Sequence, residues 1–191
     1  MILYLHGFRS SPQSSKARLL GDRMQALGLG EQYLCPQLPA SPRLAVDLAR
    51  DLMRPHSPEQ TTLIGSSLGG FYACWLAEQT GCPAVLLNPA VKTPLDLEQY
   101  VGVSTNYHND EVFEFKCEYV DELKAYTVEA VTRPERYFLI AATGDEVLDW
   151  RDMTAHYAGA RQRVIQGSDH GIAEFADYAD EVLAFCGVKT K

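Results

Sequence analysis

A chain of 191 residues, 46% apolar and 22% charged, is long enough for one domain with a sizeable core and too short for two of ordinary size. Its formal charge of −8 lacks the cationic face that nucleic-acid phosphates need, and no run of about 18 or more apolar residues marks a membrane span. Five scattered cysteines with no C-x-x-C pair argue against a disulfide framework or a zinc site and for reduced thiols in a cytoplasmic protein.

The chain opens on an apolar run, Ile2–Leu5, without the basic start or small-residue cleavage site of a secretory signal. It reads as a strand that enters the fold at once and ends in His6-Gly7-Phe8. A helix is expected over Ser15–Leu27, a strand over Gln32–Cys35 and a helix over Pro42–Met53. Thr61–Ile64 reads as the next strand and runs into Gly65-Ser66-Ser67-Leu68-Gly69, which opens a helix over Leu68–Gln79. Further strands are expected at Ala84–Leu87, Tyr137–Ala142 and Gln162–Ile165, with helices at Asp149–Tyr157 and Phe175–Cys186. Short apolar runs alternating with longer amphipathic segments imply right-handed crossovers. The fold class is therefore α/β, with about six mostly parallel strands and helices on both faces. Leu63-Ile64 and Val85-Leu86-Leu87 have the unbroken apolar character of strands covered on both sides.

Residues 91–135 break this rhythm. No strand pattern is evident there, but Tyr100, Tyr107, Phe113, Phe115, Tyr119 and Tyr126 are interleaved with Asp110, Glu111, Glu114, Glu118, Asp121 and Glu122. So long a stretch predicts a small helical cap inserted into a single domain, 1–191, rather than a structureless loop. Its aromatics, Tyr100, Tyr107, Phe113 and Phe115 above all, are expected to wall an apolar substrate pocket, with the carboxylates facing water. The alternative is that these rings only pack the cap onto the core.

The chemistry centres on Ser67. A serine on a sharp strand-to-helix turn needs neighbours without side chains, and Gly65 and Gly69 supply them, whereas Ser66 would need a glycine where Ile64 stands. Such a turn exposes the hydroxyl beside a helix N-terminus. A serine hydroxyl needs a base, and the base needs an acceptor on its other nitrogen. In this architecture the order is serine, acid, histidine. His170, in a loop between the last strand and the last helix, is the base candidate, its alternative being a solvated loop histidine. His156 falls within a helix, and His56 and His108 precede the acid. Asp145, first past the turn after Tyr137–Ala142, is the acid candidate; of its rivals, Asp149 reads as a helix N-cap and Glu146 as a solvated charge. The backbone N–H groups of Phe8 and Leu68 would form the oxyanion hole, with His6 tying its loop by a hydrogen bond. Arg9-Ser10-Ser11 reads as a solvated loop, with binding of an anionic substrate group as its alternative.

His6-Gly7-Phe8, the Gly65–Gly69 elbow, Leu87-Asn88-Pro89-Ala90, Thr143–Asp149 and Gly167-Ser168-Asp169-His170-Gly171 together resemble the YqiA-type bacterial esterases, over nearly the whole chain. The Asn88-Pro89-Ala90 and Gly144–Asp149 stretches are the more family-specific matches. The resemblance implies a minimal α/β-hydrolase fold and carboxylic ester hydrolysis by a Ser–Asp–His triad, carried here by Ser67, Asp145 and His170. One departure is Ser168-Asp169, where Gly-Asn is usual; an acid beside the base would raise its pKa.

The leading expectation is a serine esterase for short- to medium-chain carboxylic esters that forms an acyl-enzyme on Ser67. It would use no metal or organic cofactor, and its partner would be a small-molecule ester, with no nucleic acid and no membrane. Two alternatives are a thioesterase acting on acyl-CoA-type substrates, since the same groups cleave both bonds, and a binding protein that keeps the fold without turnover.

Overall fold

In the computed structural model, which describes residues 1–92, 95–107 and 112–189, the apolar runs form one parallel sheet. In chain order its flanking elements are β1 (Ile2–Leu5), α1 (Ser15–Ala26), β2 (Tyr33–Leu34), α2 (Pro42–Met53), β3 (Thr62–Ser66), α3 (Leu68–Thr80) and β4 (Ala84–Leu87). A two-stranded insertion follows, β5 (Gly102–Thr105) and β6 (Val112–Phe115), then α4 (Cys117–Lys124), β7 (Tyr137–Ala142), α5 (Trp150–His156), β8 (Arg161–Ile165) and α6 (Ala179–Phe185). The sheet order is β2-β1-β3-β4-β7-β8, with every neighbouring pair parallel.

Alternation along each strand divides the core in two, because successive side chains leave opposite faces of the pleat. Leu3, Leu5, Leu63, Leu86 and Leu139 pack with Val46, Phe71, Leu76 and Met153, on the side of α2, α3 and α5. Ile2, Tyr4, Ile64, Val85, Phe138 and Ile140 pack with Leu20, Met24, Val182 and Leu183, on the side of α1 and α6. Each such side chain contributes about 1.5–3 kcal/mol by leaving water. The β8 edge is charged instead. Arg161 and Arg163 both pair with Glu181 of α6, and the Arg161 guanidinium lies 4.4 Å above the Phe138 ring, which discourages pairing with another strand.

The segment expected to be a helical cap holds α4, as expected, and also a hairpin that the sequence pattern concealed. Its register pairs Gly102 with Phe115 and Thr105 with Val112. One face carries Phe113 and Phe115 toward the body, while Val103 and Val112 on the other are 78% and 64% exposed. Exposed valines erase the polar half of a strand's alternation, so no period was readable. His108, Asp110 and Glu111 of this stretch lie outside the described residues. Glu122, expected to face water, instead accepts from the Ser41 hydroxyl at 2.7 Å and the Arg43 amide at 2.9 Å, and Ser41 itself caps α2. The acid therefore moors α4 to the first turn of α2.

Stability should fall in alkali. Burial raises the thiols of Cys35, Cys74 and Cys186 from 9.0 to about 12, and it pushes the hydroxyls of Tyr4, Tyr33 and Tyr72 well above the usual phenol range. These groups ionise first in the unfolded chain, so their contribution is complete below pH 9 and is lost as the pH rises toward 12. Lys16 opposes this, since burial lowers its ammonium to about 8 and its share improves between pH 8 and 10.5. One lysine is outnumbered. The urea midpoint should drop steadily between about pH 9 and 11, and a midpoint that climbs over that window would contradict the burial of these groups.

Candidate active site

Five loops meet at the carboxyl edge of the sheet. β3 ends at Ser66, and Ser67 turns the chain into α3 with φ 55° and ψ −121°, a conformation that costs a residue with a side chain about 1–3 kcal/mol. Backbone bonds hold it there. Its N–H donates to the Leu87 carbonyl at 3.1 Å, and its carbonyl accepts from Gly70 and Ala90 at 2.9 and 3.2 Å. A Cβ at Gly65 would stand 2.4 Å from the Gly69 oxygen, and one at Gly69 would stand 2.0 Å from the Leu5 oxygen. That crowding is the physical content of the glycine spacing.

The loop after β1 passes directly against this turn, so that a Cβ at Gly7 would lie 3.2 Å from Ser67 Cβ and 3.7 Å from its Oγ. The Leu38 N–H donates to His6 Nε2 at 3.0 Å, so the ring is neutral and carries its proton on Nδ1, 2.9 Å from the Gly7 oxygen. Ser10 N–H reaches the same oxygen at 3.2 Å. In a planar trans peptide the N–H opposes the carbonyl, so fixing the Gly7 oxygen on the His6 side aims the Phe8 N–H the other way.

Asp145 and His170 come together by way of β7 and β8. His170 Nδ1 lies 2.7 Å from Asp145 Oδ2, while Asp145 Oδ1 accepts from the Val147 and Leu148 amides, both at 2.8 Å. The aspartate side chain is 0% exposed and the histidine 22%, so the pair is dry on the acid side and open on the other. A carboxylate so placed keeps the imidazole proton on Nδ1 and leaves Nε2 as an acceptor. Asp149 caps α5 through the Arg151 amide at 2.9 Å. Glu146 is exposed, as expected of a solvated charge, and also accepts the backbone N–H of His170 at 3.0 Å. Asp169 turns to the Ala173 amide at 3.1 Å.

Sequence reasoning gave Asn88 no role beyond a family motif, yet it joins three of these loops. It is wholly buried at φ 42°. Its Oδ1 accepts from Ala142 N–H at 2.8 Å, and its Nδ2 donates to the Asp169 and His170 carbonyls, both at 3.1 Å. The usable signal was an asparagine directly after a buried strand, since asparagine tolerates positive φ better than most residues.

A cavity of about 300 Å³ opens from Gly7, Phe8 and Leu68, the residues flanking Ser67. Its apolar walls are Leu38, Pro39, Leu48, Tyr72 and Phe113. Of the four cap aromatics expected to hold substrate, Phe113 lines this cavity and the others lie elsewhere. Phe115 is buried edge-on against Phe8 at 5.0 Å, Tyr100 packs on Phe8 at 5.4 Å, and Tyr107 is exposed beneath Arg9. Much of the wall comes from the loop between β2 and α2, which carries no periodic pattern to read.

This sheet order, with a strained serine between β3 and α3, defines an α/β-hydrolase fold. Solved structures share it. A provisionally assigned hydrolase from Agrobacterium vitis S4 is 17% identical with TM-score 0.74, covering 97% of this chain and 87% of its own. A structure of the metagenome-derived lipolytic enzymes LipS and LipT is 16% identical with TM-score 0.71, covering 97% and 92%. Est1E of Butyrivibrio proteoclasticus with bound ferulic acid is 12% identical with TM-score 0.69, covering 98% and 89%. More particularly, residues 1–187 match the model of the uncharacterised protein family UPF0227, and the chain belongs to that YqiA-like family.

Proposed function

We propose that this protein is a cytoplasmic serine esterase that cleaves short- to medium-chain carboxylic esters through an acyl-enzyme on Ser67. The observation that carries the reading is the buried Asp145–His170 pair at the same sheet edge as the strained Ser67 turn. His170 Nε2 takes the Ser67 proton as Oγ adds to the ester carbonyl. The carbonyl electrons move to oxygen, where the Phe8 and Leu68 N–H groups receive the charge; one such donor is worth about 3 kcal/mol in transition-state stabilisation. Asp145 stabilises the imidazolium. Collapse of the intermediate expels the alcohol, which takes the His170 proton. Water then attacks the acyl-enzyme by the same route, with His170 again as base, and releases the acid and free Ser67. Three side chains and two amides suffice, with no metal or organic cofactor in any step. A cavity of about 300 Å³ is at the small end for ligand sites and supports a short acyl group. Five free thiols support the compartment.

A fluorophosphonate probe reacts only with an activated hydroxyl. It should label the folded protein at Ser67, and p-nitrophenyl acetate should release nitrophenol in a burst equal to the enzyme concentration. Labelling at another residue, or none on folded protein, would overturn the reading.

A further inference from the structure

The cavity beside Ser67 is one-sided in charge. Its polar lining consists of Arg9, Ser10, Gln37 and Asn106 with His6, and among the described residues no aspartate or glutamate lines it, in a chain with 25 acidic residues against 17 basic ones. Arg9 is held by a backbone carbonyl and an aromatic face. Its backbone has φ 56° and its carbonyl accepts from Tyr107 N–H at 2.8 Å. Its Nε donates to the Thr105 carbonyl at 2.8 Å, and its guanidinium lies 4.4 Å from the centre of the Tyr107 ring. These contacts fix the guanidinium plane through Nε and one face, leaving the forked Nη edge without an ion pair among the described residues. A planar fork of this kind matches an oxyanion bidentately. The second observation is Asn106. It is 9% exposed and lines the same cavity, which places a carboxamide donor beside the guanidinium in the lining.

We propose that the acyl portion of the substrate ends in a carboxylate, which binds the Arg9 Nη edge and the Asn106 amide while its short methylene chain lies along the apolar walls. This deepens the esterase reading and rests on it for turnover. The substrate class is a monoester of a short dicarboxylic acid. A cavity of about 300 Å³ suits a short chain, and a cationic acyl group would meet Arg9.

The test compares mono-4-nitrophenyl glutarate with 4-nitrophenyl valerate, which match in chain length and differ in the terminal carboxylate. Wild-type kcat/KM should favour the glutarate ester by about tenfold or more, the ordinary worth of a charge-assisted hydrogen-bonded pair. Arg9→Gln should erase most of that ratio, Asn106→Ala should lower it, and Arg9→Lys should restore only part, having charge without the fork. A wild-type ratio near one, or a ratio that Arg9→Gln leaves unchanged, overturns the proposal even if both esters are cleaved. Calorimetry on Ser67→Ala with methyl hydrogen glutarate and methyl valerate separates this proposal from the esterase reading. About tenfold tighter binding of the anion, lost in the Ser67→Ala/Arg9→Gln protein, supports the site even if no ester turns over. Equal or absent binding of the two overturns it. Should Arg9→Gln not fold, the same comparisons with Arg9→Lys and Asn106→Ala decide.

Discussion

Ser67→Ala should lower turnover of p-nitrophenyl acetate by about 10⁶-fold, and His170→Ala by about as much, with circular dichroism and thermal unfolding close to those of the parent. Nucleophile and base act as one unit, so removing either removes the whole acyl-transfer route, and what remains is binding and the two backbone amides. The geometry makes the loss local. Ser67 is half-buried and held by backbone bonds that an alanine keeps, and the His170 loop keeps its main-chain ties to Asn88 and Glu146 when the ring's bond to Asp145 is removed. Ser66→Ala is the control. Ser66 belongs to β3, paired with Leu87, and its loss should leave most of the activity. An inactive Ser66→Ala beside an active Ser67→Ala would place the nucleophile one residue earlier and refute the turn's assignment.

Gly69→Ala should be the most damaging single methyl in the chain. The added carbon would meet the Leu5 oxygen at 2.0 Å and the His6 oxygen at 2.7 Å, both of them backbone atoms at the end of β1. Neither can swing aside as a side chain would. Relief requires α3 to lift off the sheet or β1 to shift its pairing with β3, and either one drags the His6-Gly7-Phe8 loop away from Ser67. Overpacking usually costs about 1–3 kcal/mol, and a collision with fixed main chain belongs above that range. We expect a loss of more than about 3 kcal/mol in urea unfolding, or failure to accumulate folded protein. Gly28→Ala is the comparison, because a Cβ there meets nothing within 4 Å and only φ 72° opposes it, a cost of about 1 kcal/mol. A Gly69→Ala protein no less stable than Gly28→Ala would show that the close approach of α3 to β1 is not fixed.

Residues were legible in the sequence where one physical demand dominated. β1, β4 and β7 are buried along their whole length, so their segments are apolar without interruption and could be read as strands with their ends in place. Gly65 and Gly69 announced the turn because backbone crowding admits nothing larger. The β5–β6 hairpin was illegible because exposed Val103 and Val112 sit where polar residues would have marked the outer face. Three of the four cap aromatics expected at the cavity lie elsewhere for a related reason, Phe113 alone of the four lining it. Aromatic content says that rings will be buried, not against what, and Phe8 collects Tyr100, Phe113 and Phe115 around itself. Leu38 and Pro39, which do wall it, sit in a loop whose composition carries no period. Glu146 and Asn88 act on main-chain groups of residues far along the chain, and no local pattern encodes a bond across 24 or 81 positions.

Asn88 also bears on how the protein ages. Asparagine side chains deamidate when the following backbone nitrogen attacks the carboxamide and closes a five-membered imide. An aspartate left in this position would set a carboxylate oxygen against the carbonyls of Asp169 and His170, repelling the loop that the amide now gathers. The next residue is Pro89, whose nitrogen has no proton to surrender and already carries its third carbon. Ring closure is blocked at its first step, and the buried, fully bonded carboxamide is shielded from direct hydrolysis by water. The amide on which three loops converge is thus a chemically durable one, and spontaneous damage to old molecules should accumulate elsewhere first.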